Sequence, residues 1–158
     1  MTRMLMVCMG NICRSPMAVA VARHMAREAD FLSNGISDPL DFDSAGTHAD
    51  HAGEPPDTRA VTALLKRGYE PANSRSRKVC AQDFARFDLI LAMDRANLAE
   101  LQRLCPPQHL GKLRLFLHFA PEVGLDEVPD PYFGNPAGFE RVLDLCEAGV
   151  QGLIKARS

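Results

Sequence analysis

The stretch that most constrains this chain lies near its start. Met4-Leu5-Met6-Val7 is an apolar run of strand length, and Cys8-Met9-Gly10-Asn11-Ile12-Cys13-Arg14-Ser15-Pro16 follows it directly. Met17, Val21 and Met25 then lie four apart, on one face of a helix running to Glu28. A buried strand that turns through Gly and Asn into a helix belongs to a sheet covered by helices. We expect a first strand over residues 3–7, with Ser15 as helix N-cap and Pro16 as the first helical residue.

The remaining chain keeps the same alternation. Strands are expected over Leu40–Ala45, Asp88–Ala92 and Lys112–Leu117, and helices over Thr58–Arg67, Ala81–Arg86, Arg95–Leu104 and Gly138–Ala156. Asp57 and Asp94 stand where helix caps belong, and Gly68 stops the second helix. Residues 32–38 read as a loop, and Tyr69 to Lys78 as polar and irregular. The pattern implies one α/β domain over residues 1–158 with a parallel four-stranded sheet and right-handed crossovers. Open sheets of this type bind ligands at the carboxyl ends of their strands. The Cys8–Pro16 loop lies there, together with residues 46–56, Met93-Asp94 and the loop after the fourth strand.

That loop has the parts of a phosphate cradle built around a thiolate. Cys8 ends a strand and faces a helix N-terminus, so successive backbone N–H groups, the helix dipole and Arg14 all favour negative charge there. A free cysteine, with a pKa of about 8.5, needs such an environment to act as a nucleophile. Gly10 permits close backbone approach, and Asn11 is among the few residues that tolerate a left-handed conformation. Arg14 offers a planar fork for two phosphoryl oxygens. The Ser15 hydroxyl is close enough in sequence to reach the thiolate.

Bulk properties exclude several alternatives. A net charge of -2 argues against a nucleic-acid binder, and no apolar run approaches the ~20 residues of a membrane span. The first apolar run is shorter than the roughly 7–15 residues of a signal peptide, so a cytoplasmic location is expected. Five scattered cysteines suggest reduced thiols. No second Cys/His pair stands at zinc-ligand spacing, so no metal and no cofactor are expected.

Cys8 to Pro16 resembles the signature loop of the low-molecular-weight protein tyrosine phosphatases. Asp43-Ser44-Ala45-Gly46-Thr47, Pro56-Asp57-x-Arg59, Met93-Asp94-x-x-Asn97-Leu98 and Asp130-Pro131-Tyr132-Phe133-Gly134 resemble that family's other motifs in the same order. The resemblance implies a three-layer α/β sandwich with strand order 2-1-3-4 and helices on both faces. It implies Cys8 as nucleophile, Arg14 as phosphate ligand and Asp130 as general acid. The phosphate, or another oxyanion, would lie on Met9, Gly10, Asn11, Ile12, Cys13, Arg14 and Ser15, with Ser15 and Ser44 supporting the cradle. Met9, Ile12, Tyr132 and Phe133 would wall a pocket for a phosphotyrosine protein substrate.

Two places depart from the family pattern. Many members carry an aromatic wall after Ser-Ala-Gly-Thr, where this chain has Asp50, so the mouth is expected to be more polar and open on that side. Many carry a histidine before the basic stretch Arg75-Ser76-Arg77, where this chain offers Asn73 or Ser74 as support for Asn11. Arg75, Arg77 and Lys78 read as a solvated face. Cys13 has the spacing of the family's second cradle cysteine and would capture oxidised Cys8 as a disulfide. An arsenate reductase of the same fold would need further cysteines near residues 91–98, and none is there. A non-catalytic phosphotyrosine-binding module would have lost Cys8, Arg14 or Asp130. The sequence does not specify an oligomeric state.

Overall fold

A computed structural model describes residues 1–32 and 38–157 of the chain. Four strands form one sheet in the order β2-β1-β3-β4. They are β1 (Thr2–Cys8), β2 (Leu40–Gly46), β3 (Leu89–Ala92) and β4 (Leu113–Leu115). All pairings are parallel, with Cys8 opposite Gly46 and Val7 opposite Ala92. The helices are α1 (Arg14–Leu32), α2 (Thr58–Lys66), α3 (Ala81–Arg86), α4 (Arg95–Leu104) and α5 (Pro136–Arg157).

The period of two along β1 sorts its side chains onto two faces. Met4, Met6 and Cys8 join Met17, Val21, Leu143 and Val150 in a core beneath α1, α2 and α5. Leu5 and Val7 join Phe84, Phe87, Ile90 and Leu101 beneath α3 and α4. Both faces of β1 are covered, which is why its sequence is apolar without alternation. The result is the three-layer sandwich with the expected strand order.

Three expectations change. The helix after the first loop begins at Arg14 rather than Pro16, so Ser15 lies inside its first turn and is not its N-cap. The fourth strand is only Leu113–Leu115, because residues Phe116–Phe119 tighten into a 3₁₀ turn that buries Phe116 and Leu117 against α5. The last helix begins at Pro136, two residues before Gly138. The expected caps are in place. Asp57 accepts from Arg59 N, and Asp94 with Asn97 forms a reciprocal capping box on α4. The loop expected at 32–38 lies largely outside the described residues.

Candidate active site

The loop between β1 and α1 is a cup whose carbonyls are engaged from outside. Cys8 O and Met9 O accept from Thr47 N and His48 N at 2.9 and 3.1 Å, and Ile12 O accepts from Asp57 N at 2.8 Å. The Ser76 hydroxyl donates to Gly10 O at 2.8 Å. With these oxygens engaged from outside, the Asn11 N–H points into the cup at Cys8 Sγ. Gly46 is needed for this closure, since a Cβ there would stand 2.7 Å from Met9 O.

Asn11 holds the tight part of the cup. Its φ of 58° is left-handed, and it is the only such non-glycine residue among those described. Side chains such as asparagine tolerate that conformation where most do not. Its amide group donates to Ser15 Oγ at 2.8 Å and to Ser44 Oγ at 2.9 Å, and its Oδ1 accepts from Arg77 N at 3.0 Å. The support from the basic stretch therefore comes from Ser76 and the Arg77 main chain. Asn73 is exposed and Ser74 is not among the partners of Asn11, so the expectation for those two fails on register. Arg77 is not a solvated charge either, because it pairs with buried Asp83 at 2.9 Å and with Asp43 at 3.4 Å.

At the floor, Cys8 is buried, and its Sγ accepts from Asn11 N at 3.3 Å and lies 3.0 Å from Ser15 Oγ. Arg14 is 3 % exposed. One of its nitrogens donates to Asp94 at 2.7 Å and to Val128 O at 3.0 Å, and the other stands 3.7 Å from Asp130. Burial opposes its charge, but Cys8, Asp94 and Asp130 together outweigh that and raise its pKa above that of ordinary arginine. Cys13 is in the opposite situation. Burial first, then the charges of Asp57, Cys8 and Asp130, push its thiol up to about 12.

Asp130 arrives from the far end of the chain through a short relay. Val7 O accepts from Met93 N, and Met93 O accepts from Val128 N at 2.8 Å, hanging the segment that carries Asp130 on the ends of β1 and β3. Asp130 is about two-fifths exposed, and its Oδ1 accepts from Tyr132 N at 3.1 Å. The cleft above the cup has a volume of about 170 Å³. Met9, Ile12, Asp50, Tyr132 and Phe133 line it, together with Cys8 and Arg14 at its base. Phe133 stands at the outer rim, its ring edge-on to Tyr132 at 4.9 Å. Arg59 is gripped by Asp57 and lies over the Tyr132 ring at 5.3 Å and the Phe139 ring at 4.8 Å, which braces that wall.

The comparisons with known proteins agree on one relationship. The family model for low molecular weight phosphotyrosine protein phosphatase matches residues 3–157. The chain belongs to this family. A low molecular weight protein-tyrosine-phosphatase of Streptomyces coelicolor is 40% identical over 98% of this chain and 92% of its own length. The human low molecular weight phosphotyrosine protein phosphatase is 38% identical over 90% of this chain and 87% of its own. A protein tyrosine phosphatase from Entamoeba histolytica, solved with Hepes in its active site, superposes with a TM-score of 0.91 at 38% identity, covering 99% of this chain and 97% of that one.

Three residues of the site have roles that the sequence of this phosphatase-family chain does not signal. Asp94 was expected as a helix cap at the ligand-binding end of the sheet, and the same carboxylate also anchors Arg14. Its contact with Arg14 spans 80 residues and has no local signature. Arg59 sat inside a quoted motif without a role. His51 lines the cleft beside Asp50, so that side of the mouth is not simply open. No helix among the described residues is long and apolar enough to cross a membrane.

Proposed function

We propose that this single-domain chain is a protein-tyrosine phosphatase that hydrolyses aryl phosphate monoesters through a cysteinyl-phosphate. The observation that carries the reading is the convergence of Cys8, Arg14 and Asp130 on one cleft, with Arg14 within 3.7 Å of Asp130. The Cys8 thiolate attacks phosphorus in line, and the bond from phosphorus to the phenolic oxygen breaks. Asp130 gives its proton to the departing phenolate. Arg14 and the cup amides hold the equatorial oxygens throughout, which neutralises their charge. Asp130 then takes a proton from water, which attacks the cysteinyl-phosphate. Inorganic phosphate leaves and the thiolate is restored, with Ser15 Oγ placed to donate to it.

The apolar walls Met9 and Ile12 and the rings of Tyr132 and Phe133 suit a phenyl ring carried by a phosphoprotein. Hepes is a sulfonate, and its place in the Entamoeba relative's active site supports an oxyanion ligand here. Reduced thiols suit the cytoplasm, where Cys8 stays available. Of the five cysteines only Cys8 and Cys13 line the cleft, which leaves a reductase relay without members. Under peroxide, Cys8 oxidises to a sulfenic acid with release of water. The Cys13 thiol then condenses with it, forming the disulfide and releasing a second water.

The test is turnover of p-nitrophenyl phosphate and of a phosphotyrosine peptide. Wild type is expected to turn over both. Cys8→Ser abolishes turnover, and Asp130→Ala slows it while prolonging the phosphorylated enzyme seen by mass spectrometry. Unchanged turnover in Cys8→Ser would overturn the mechanism.

A further inference from the structure

The segment that carries Asp130 has a second anchor. Residues 124–131 belong to no helix or strand, so their course depends on what holds them. Val128 is pinned in two directions. Its N–H donates to Met93 O at 2.8 Å, and its carbonyl accepts from Arg14 at 3.0 Å. The two residues before it turn to one partner. Glu127 Oε2 accepts from the Arg95 main-chain N–H at 2.9 Å, and the Asp126 carboxylate pairs with the Arg95 guanidinium. Arg95 is the first residue of α4, directly after Asp94, the cap that holds Arg14.

These anchors act on Asp130 through a short, stiff connection. Only Pro129 separates Val128 from Asp130, and Pro131 follows. Each proline fixes its own φ and restricts the residue before it, so few free torsions lie between Val128 and the Asp130 carboxyl. Bonds at Val128 alone fix a point and leave the segment free to rotate about it. The bonds to Arg95, one and two residues away, remove that rotation. Asp130 itself is held lightly. Its Oδ1 accepts from Tyr132 N at 3.1 Å, and its Oδ2 stands 3.7 Å from Arg14. Its placement over the cup therefore depends on the segment behind it.

We infer that Arg95 and Glu127 are positioning residues for the general acid, orienting the segment so that the Asp130 carboxyl meets the leaving oxygen. The inference rests on the phosphatase reading proposed above. Proton transfer requires hydrogen-bond reach to the departing oxygen, so it is the event most sensitive to a small rotation of the segment. Attack by Cys8 and the grip of Arg14 do not use the placement of Asp130. The effect of losing the anchor therefore depends on the leaving group. A phenol like the tyrosine side chain, with a pKa of about 10, departs poorly as an anion and needs the proton. p-Nitrophenol is far more acidic and departs with little help.

The experiment measures kcat/KM for phenyl phosphate and p-nitrophenyl phosphate in wild type, Glu127→Ala, Glu127→Gln and Arg95→Pro. Proline is well tolerated at the first position of a helix. Asp94, at φ -145° and ψ 174°, already has the extended backbone that a following proline requires. Arg95→Pro thus keeps α4 and deletes both the N–H and the guanidinium. In Glu127→Ala and Arg95→Pro, kcat/KM is expected to fall about ten-fold for phenyl phosphate and less than about two-fold for p-nitrophenyl phosphate. Glu127→Gln keeps an acceptor and is expected to stay within about two-fold of wild type on both. On an Asp130→Ala background, Glu127→Ala is expected to leave the ratio of the two substrates unchanged. Binding of inorganic phosphate is expected to be the same in wild type and the single variants, because the cup and Arg14 are intact. Equal losses on both substrates, weakened phosphate binding, or a further change in the ratio on the Asp130→Ala background overturns the inference and leaves the phosphatase reading standing. Wild type that turns over neither substrate overturns both.

Discussion

Replacing Asp94 separates two duties that one carboxylate performs. Its Oδ1 accepts from Asn97 N at 2.7 Å and caps α4, while its Oδ2 accepts from Arg14 at 2.7 Å. Asp94→Ala loses both. The cap contributes about 1 kcal/mol, and a hydrogen bond to a charged partner about 1.5–3 kcal/mol. Arg14 is then left buried with Val128 O, Cys8 and the more distant Asp130. The sum is about 3 kcal/mol, which for a chain of this size lowers Tm by about 6–12 °C. Asp94→Asn keeps the cap, since asparagine caps as well as aspartate, but it puts an NH2 group where Oδ2 accepts from Arg14, so the Arg14 hydrogen bond is lost. Its cost is about 1.5–3 kcal/mol. Both variants let the guanidinium fork swing, and misplacement of such a clamp costs up to about 100-fold in rate. The assay is thermal unfolding by circular dichroism alongside kcat/KM for p-nitrophenyl phosphate. Stability in the order wild type, Asn, Ala, with kcat/KM down at least about ten-fold in both, is the expected result. If Asp94→Asn matches wild type in both measurements, Asp94 does not hold Arg14 and the reasoning fails.

Other perturbations test other parts of the structure. Because burial and neighbouring charges push the Cys13 thiol up to about 12, its thiolate fraction grows with pH throughout the neutral range. Formation of the Cys8–Cys13 disulfide after a peroxide pulse should therefore accelerate from pH 7 to 9, about ten-fold per pH unit, by non-reducing mass spectrometry. A pH-independent rate would contradict it. Cys13→Ser should be inactivated irreversibly under the same pulse, where wild type recovers with dithiothreitol. EDTA should leave turnover unchanged, because Arg14 and the cup amides supply the charge neutralisation. A Cβ at Gly152 would sit 1.8 Å from Phe119 O, a backbone atom that cannot yield. Gly152→Ala should cost at least about 3 kcal/mol in urea unfolding, shifting the midpoint without changing the slope. Asp50→Trp should lower KM for aryl phosphates by adding a stacking wall, measured against the unstacked substrate glycerol phosphate.

What could be read directly from the chain was whatever depends on neighbours in sequence. The apolar β1 run, the Gly-Asn turn and the Asp57 and Asp94 caps are local interactions with local signatures. Each appeared at or within a residue or two of its expected place. The loop's own chemistry pointed to Cys8 and Arg14, whereas the strand order and the role of Asp130 came from motif resemblance, because nothing in the residues between 14 and 130 signals that they meet. The errors share a cause as well. Ser15 looks like a cap from its neighbours alone, but the fold offers it Asn11 and the Cys8 sulfur instead. Asn73 and Ser74 have the right chemistry to support Asn11, yet the segment docks a few residues later, with Ser76 on Gly10 O and the Arg77 amide on Asn11.

The loop's composition thus determined that an anion could be cradled and that a thiolate could stand at its centre. Only the tertiary structure decided what surrounds it. Backbone hydrogen bonds from β1 to Met93 and on to Val128 carry Asp130 to within 3.7 Å of Arg14, across more than a hundred residues. The same packing turns the Asp94 cap toward that arginine and lays His51 on Gly10. Short-range preferences place side chains on elements; which side chains then share a cleft depends on how parallel strands align, and that register is a property of the whole sheet.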